Sequence, residues 1–128
     1  MKLRIQGNSV RLRLTKSEVT QIGEKGRVEE TVEFGLEPSQ KLIYALETTA
    51  ILENLRATFE DNCLRVFVPG NQAEQWANSN RVGIEFEQPL RNDKFLRILI
   101  EKDFACLDER LGEDQSDAFP HPLEGKAC

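Results

Sequence analysis

Residues 8–28, NSVRLRLTKSEVTQIGEKGRV, lie over residues 62–82, NCLRVFVPGNQAEQWANSNRV, without a gap at a shift of 54. Identical residues meet at Asn8 and Asn62, Arg11 and Arg65, Gln21 and Gln75, Arg27 and Arg81, and Val28 and Val82. Chance gives about one identity in such a window. The same shift sets LIYALE, from Leu42, on LRILIE, from Leu96, with Glu47 opposite Glu101, and it sets Ile5 on Phe59. A chain that repeats itself in this way has to build one supersecondary unit twice and bury the apolar faces of both units together.

The unit can be read from its periodicities. Leu3 and Ile5 alternate with Lys2, Arg4 and Gln6, and Val10, Leu12 and Leu14 alternate with Arg11 and Arg13, which is the period of half-buried strands. QGNS between them is a turn. TKSE then predicts a helix start: Thr15 accepts from the Glu18 amide, and the Glu18 carboxylate reaches back. Val19 and Ile22 face inward, and Gly26 supplies the left-handed residue that ends the helix, with Asn80 in its place in the second half. Val28, Val32 and Phe34, then Leu42, Tyr44 and Leu46, form two more strands. The second half repeats this with Leu55, Ala57 and Phe59; with Leu64, Val66 and Val68; with a helix carrying Ala73, Trp76 and Ala77; with Val82, Ile84 and Phe86; and with Leu96, Ile98 and Ile100.

The prediction is therefore an α+β domain of two internally duplicated ββαββ units, repeat 1 over about 1–47 and repeat 2 over about 55–101. About eight strands form an antiparallel sheet covered by two helices, with closure into a barrel as the alternative. The duplicated domain spans 1–107, and an acidic, proline-containing tail spans 108–128.

Composition narrows the function classes. The net charge of −5 works against a general affinity for nucleic acid or anionic lipid, and outward strand positions supply only Phe67 as an aromatic on which a base could stack. No apolar run approaches the length of a membrane span, and the start has no signal-like core, so a cytoplasmic protein is expected. Cys63, Cys106 and Cys128 are odd in number and unpatterned, as reduced thiols would be. The outward charges, Lys2, Arg4, Arg11, Arg13, Arg56, Arg65 and Arg97 against Glu29, Glu33, Glu85 and Glu87, read as cross-strand ion pairs on a solvated face. Trp76 stands where the first half has Ile22 and reads as a core filler.

What has no counterpart in the first half is the segment after Glu101, KDFACLDERLGEDQSDAFPHP. It is where a function would have been added. Phe104 is expected to anchor it against the core. Lys102, Asp103, Asp108, Glu113, Asp114 and Asp117 are the candidate binding residues, for a protein or a small ligand. Cys106, His121 and Cys128 are ligand types, but no two of them stand at the close spacing of structural zinc sites, so no cofactor is predicted and a metal ion is the lesser alternative. An enzyme would have to draw on Asp103, Cys106, Asp108 and His121. Cys106, flanked by Phe104 and Leu107 and near carboxylates, is expected to be an unreactive thiol. A non-catalytic binding or interaction module is therefore the expected function.

KLRIQGNSVRLRLTKSEV at the start and EKDFACLDERLGEDQSDAFPHP at the end resemble the signature stretches of a small bacterial family, a domain of unknown function, over nearly the whole chain. The resemblance implies a free-standing bacterial cytosolic protein. It implies no activity, cofactor or catalytic residue.

Overall fold

A computed structural model describes residues 1–104 of the chain. Eight strands and two helices follow one another as β1 (Lys2–Gln6), β2 (Ser9–Leu14), α1 (Lys16–Lys25), β3 (Arg27–Glu33), β4 (Lys41–Thr49), β5 (Arg56–Glu60), β6 (Cys63–Pro69), α2 (Gly70–Ala77), β7 (Gly83–Pro89) and β8 (Phe95–Lys102). The fold is α+β, as the periodicities predict. The strands do not form one antiparallel sheet or a barrel, however. They divide into two four-stranded sheets, of order β1-β2-β8-β7 and β3-β4-β6-β5. Each has antiparallel hairpins on its flanks and a parallel pair, β2 with β8 or β4 with β6, at its centre. Exchanging β1–β4 with β5–β8 turns one order into the other.

The helices explain the division. Each follows the second strand of a hairpin and carries the chain across to the other sheet, so β2–α1–β3 and β6–α2–β7 are the two crossings. An alternating strand records only that one of its faces is buried. Two sheets that share one core satisfy that pattern as well as one sheet under a helical layer does. The core is shared: Leu12, Leu14, Ile98 and Ile100 from one sheet, Leu46, Val66 and Val68 from the other, and Trp76 and Ile22 from the helices, are all buried.

Local signals act where they stand. Thr15 caps α1, and both halves of the capping box with Glu18 form. Gly26 takes a φ of 73°, and its N–H donates to the Ile22 carbonyl. The paired Asn8 and Asn62 have matching backbone roles, the Asn8 carbonyl accepting from Arg97 N–H and that of Asn62 from Ile43 N–H. The second half departs at the end of its helix. The cap of α2 is Asn78, not Asn80, and its φ is −101°. Five residues, 78–82, then lead to β7, where Gly26 alone separates α1 from β3. Register confirms the offset: Val28 stands beside Leu46, whereas Ile84, not Val82, stands beside Ile100. Val82 is thus outside the strand and exposed, and Ile84 is buried. The ungapped alignment fails here because the dipeptide Arg-Val recurs by coincidence at 27–28 and 81–82.

Four other residues assigned to the core from periodicity lie outside it. Ile5, Phe59, Val32 and Phe34 are exposed. They belong to the edge strands β1, β5 and β3, or follow the last of these, where the partner sheet no longer covers them.

Candidate functional site

At the end of the molecule that carries the helices, β2 and β8 finish side by side, with Leu14 in register with Lys102. The chain leaves the described part from this point. Lys102 donates from its backbone to the Val82 carbonyl and from Nζ to the Ser79 carbonyl, at 2.7 Å. Asp103 donates from its backbone to the Leu14 carbonyl, and its carboxylate lies 3.2 Å from Lys2 Nζ. These two candidate binding residues are therefore brought to one rim, and each is held by a partner of its own. Phe104 follows. It is 60% exposed, against the expectation that it would be buried as an anchor, because it stands beyond the end of β8, whose inward residues Ile98 and Ile100 fill the core. Its ring borders a cavity of about 410 Å³ between the start of α1 and the end of α2, lined by Leu14, Lys16, Val19, Thr20 and Ala77.

Asp108, Glu113, Asp114 and Asp117, and the metal candidates Cys106, His121 and Cys128, lie outside the described residues. Among the described residues no cluster of three or more His, Cys, Asp or Glu is placed to hold a metal ion. Cys63 is buried. No helix among the described residues is long and apolar enough to cross a membrane.

The outer faces of the two sheets carry the charges, and here register adds what spacing could not. On the first sheet Lys2 stands opposite Arg13 and Arg4 opposite Arg11. Like charges directly opposite repel. Glu101 answers two of these four cations, at 2.7 Å from Arg13 and 3.6 Å from Arg11, and Asp103 answers Lys2. The only side-chain bond of Arg4 among the described residues is to Gln6. On the second sheet Glu47 has the corresponding place and holds Arg27 at 3.1 Å and Arg65 at 3.7 Å. There, though, the hairpin rows read Arg56 opposite Phe67 and Thr58 opposite Arg65, with one cation in each. The doubled basic rows belong to the sheet from which the tail departs.

A second polar cluster carries no signal in the sequence. The Met1 amine bonds to Glu18 and lies 3.2 Å from Glu30, and the single proton of the Tyr44 hydroxyl is offered to Glu30, at 2.9 Å, and to the Met1 carbonyl, at 3.1 Å. Burial opposes charge on the amine, but the bonds to Glu18 and Glu30 outweigh it and raise its pKa above the ordinary 8.0. Burial also opposes the Glu18 carboxylate, and the bonds from Met1 and Thr15 outweigh it in turn, lowering that pKa below 4.5. The Tyr44 hydroxyl is pushed up to about 12, by burial first and then by Glu30. A lowered acid contributes stability above its unfolded pKa and loses it as pH falls through the folded value; a raised base contributes below its unfolded pKa and loses it as pH rises through the folded value. Stability from this cluster should therefore be level between about pH 4.5 and 8 and decline on both sides. Denaturant midpoints measured across pH test this, and Glu18→Gln should flatten the acid side; an unchanged acid limb in that variant would exclude the pairing as its source.

No curated protein and no solved structure matches the chain. A match over residues 1–123 is found with the model of a family of unknown function, DUF7009, so nearly the whole length, including the segment after Glu101, falls within one family pattern. The chain belongs to DUF7009.

Proposed function

We infer that the protein is a non-catalytic binding module, built by internal duplication and acting in the bacterial cytoplasm, in which the segment after Glu101 engages a protein or small-ligand partner. One observation carries the reading. The family pattern does not stop where the likeness between the two halves of the sequence ends but runs on to residue 123, across the stretch that has no counterpart in the first half. The exchange symmetry of the two sheet orders supports the duplication, since one ββαββ unit used twice gives that arrangement directly. The rim supports a binding role for the segment: an exposed phenylalanine beside a partly apolar cavity, with Lys102 and Asp103 fixed at its mouth, is the composition of a protein-contact surface.

Site-directed photo-cross-linking in the native host tests this. A photoreactive residue at Phe104 or Asp114 should capture a discrete partner, and the same residue at Arg91, in the turn at the opposite end of the molecule, should not. Capture at Arg91 alone, or equal capture at all three positions, would exclude the tail as the contact. A purely small-ligand partner would give no protein adduct but a saturable shift in the Phe104 amide signal on addition of cell metabolites.

A further inference from the structure

We propose that the basic outer face of β1 and β2 is a docking surface for the chain's own acidic segment, residues 108–117. This goes beyond a partner role for the tail and stands on different observations. The first is the register that sets Lys2 against Arg13 and Arg4 against Arg11, four cations in two adjacent rows of which Lys2, Arg11 and Arg13 meet Asp103 and Glu101 while Arg4 bonds only to Gln6 among the described residues. Such rows repel each other unless an anion lies across them. The second is the comparison between the sheets. The same positions on β5 and β6 hold one cation per row, so the doubled charge is not a requirement of the fold.

The third is where the negative charge lies. Residues 105–128 hold six carboxylates and two basic side chains, which leaves four of the chain's five net negative charges in that segment. The fourth is reach. Asp103 already pairs with Lys2 at the upper row, and Asp108 follows five residues later, a span of up to about 17 Å. The row of Arg4 and Arg11 lies only two residues further along the strands, about 7 Å. A tethered segment at that distance meets the face at an effective concentration that a free acidic partner would have to exceed. The contact therefore holds the tail on the body and sets a threshold for any partner that takes the tail away.

The test uses the full chain with Cys106→Ser and Cys128→Ser and a nitroxide on Gln115→Cys, reading paramagnetic broadening of backbone amides. Arg4 and Arg11 should broaden strongly at low salt. The effect should be lost at about 0.5 M salt, where the Debye length is only roughly 4 Å. It should also be lost in Glu113→Lys/Asp114→Lys, which changes none of the residues of the basic face, and in Arg4→Glu/Arg11→Glu. It should return when the two reversals are combined. Absence of broadening at these amides, or broadening that survives both reversals, would overturn the proposal. So would broadening that arises only between spin-labelled and unlabelled chains, since the occupant would then be a second copy. Failure of the cross-linking experiment with this broadening intact would remove the partner and leave the docking.

Discussion

Trp76→Ala should cost about 3–5 kcal/mol, the range for deleting a fully buried large aromatic, and should be the most damaging single truncation in the chain. The indole is completely buried among residues of both sheets. It also has a polar role, since Nε1 donates to the Val82 carbonyl at 3.0 Å and so ties down the five-residue connection that the first half lacks. The same carbonyl accepts from Lys102 N–H, so the indole, the connection and the last strand meet at one oxygen. Urea denaturation followed by circular dichroism measures the loss, with the slope expected to be unchanged if the denatured state is unaffected. Trp76→Phe should cost less, because the ring remains and only the N–H is gone. It should still speed hydrogen exchange at the Lys102 amide, the reporter of the connection. A loss below about 1 kcal/mol for the alanine variant would mean that the site collapses without the indole, contrary to its packing.

Trp76 also shows how far the sequence was legible. Its place 54 residues after Ile22 marked it as inward-facing, and it is. The residue also compensates for a change nearby that the alignment concealed, since the two extra residues before β7 were hidden by the repeated Arg-Val. Signals confined to a few residues were readable, among them the Thr15–Glu18 box, the left-handed Gly26 and the alternation in β2, β6 and β8, because the physics behind them is local. Partition into two sheets was not, because alternation reports a buried face and says nothing of what buries it. Ile5, Phe59 and Val32 carry the right period but sit on edge strands, a position set by strand order alone.

The candidate site divides along the same line. Lys102 and Asp103 were singled out because the self-similarity of the sequence ends beside them, and they stand at the rim where β2 and β8 finish. The basic rows of β1 and β2 were legible as outward charges but not as rows: their meaning depends on which residue stands opposite which, and register is a tertiary property. The Met1–Glu18–Glu30–Tyr44 cluster joins residues from four separate elements, or next to them, and nothing local announces it.

Two glycines should respond with opposite signs to the same substitution. Gly83 opens β7 opposite Glu101, where the first half has Arg27 opposite Glu47. An arginine is tolerated there, yet a Cβ on Gly83 would stand 2.6 Å from the Ile100 carbonyl oxygen, 3.2 Å from Glu101 Cβ and 3.3 Å from Leu99 Cδ1. The first of these is backbone in a central strand and cannot swing aside, so β7 would have to move away from β8. Its connection to α2, anchored by Trp76 at Val82, resists that movement. Gly83→Ala should therefore destabilise by about 2–3 kcal/mol, the upper part of the range for overpacking. Gly23 lies inside α1 with no atom outside the helix's own backbone within 4 Å of a Cβ, and its φ is not in the left-handed region. Gly23→Ala should stabilise by about 0.5–1 kcal/mol, through the reduced freedom of the unfolded chain and the better helix propensity of alanine. Both are read from one set of denaturation curves. Equal effects at the two sites would show that β7 can shift freely against β8, and the tight approach at the start of that strand would then have no structural consequence.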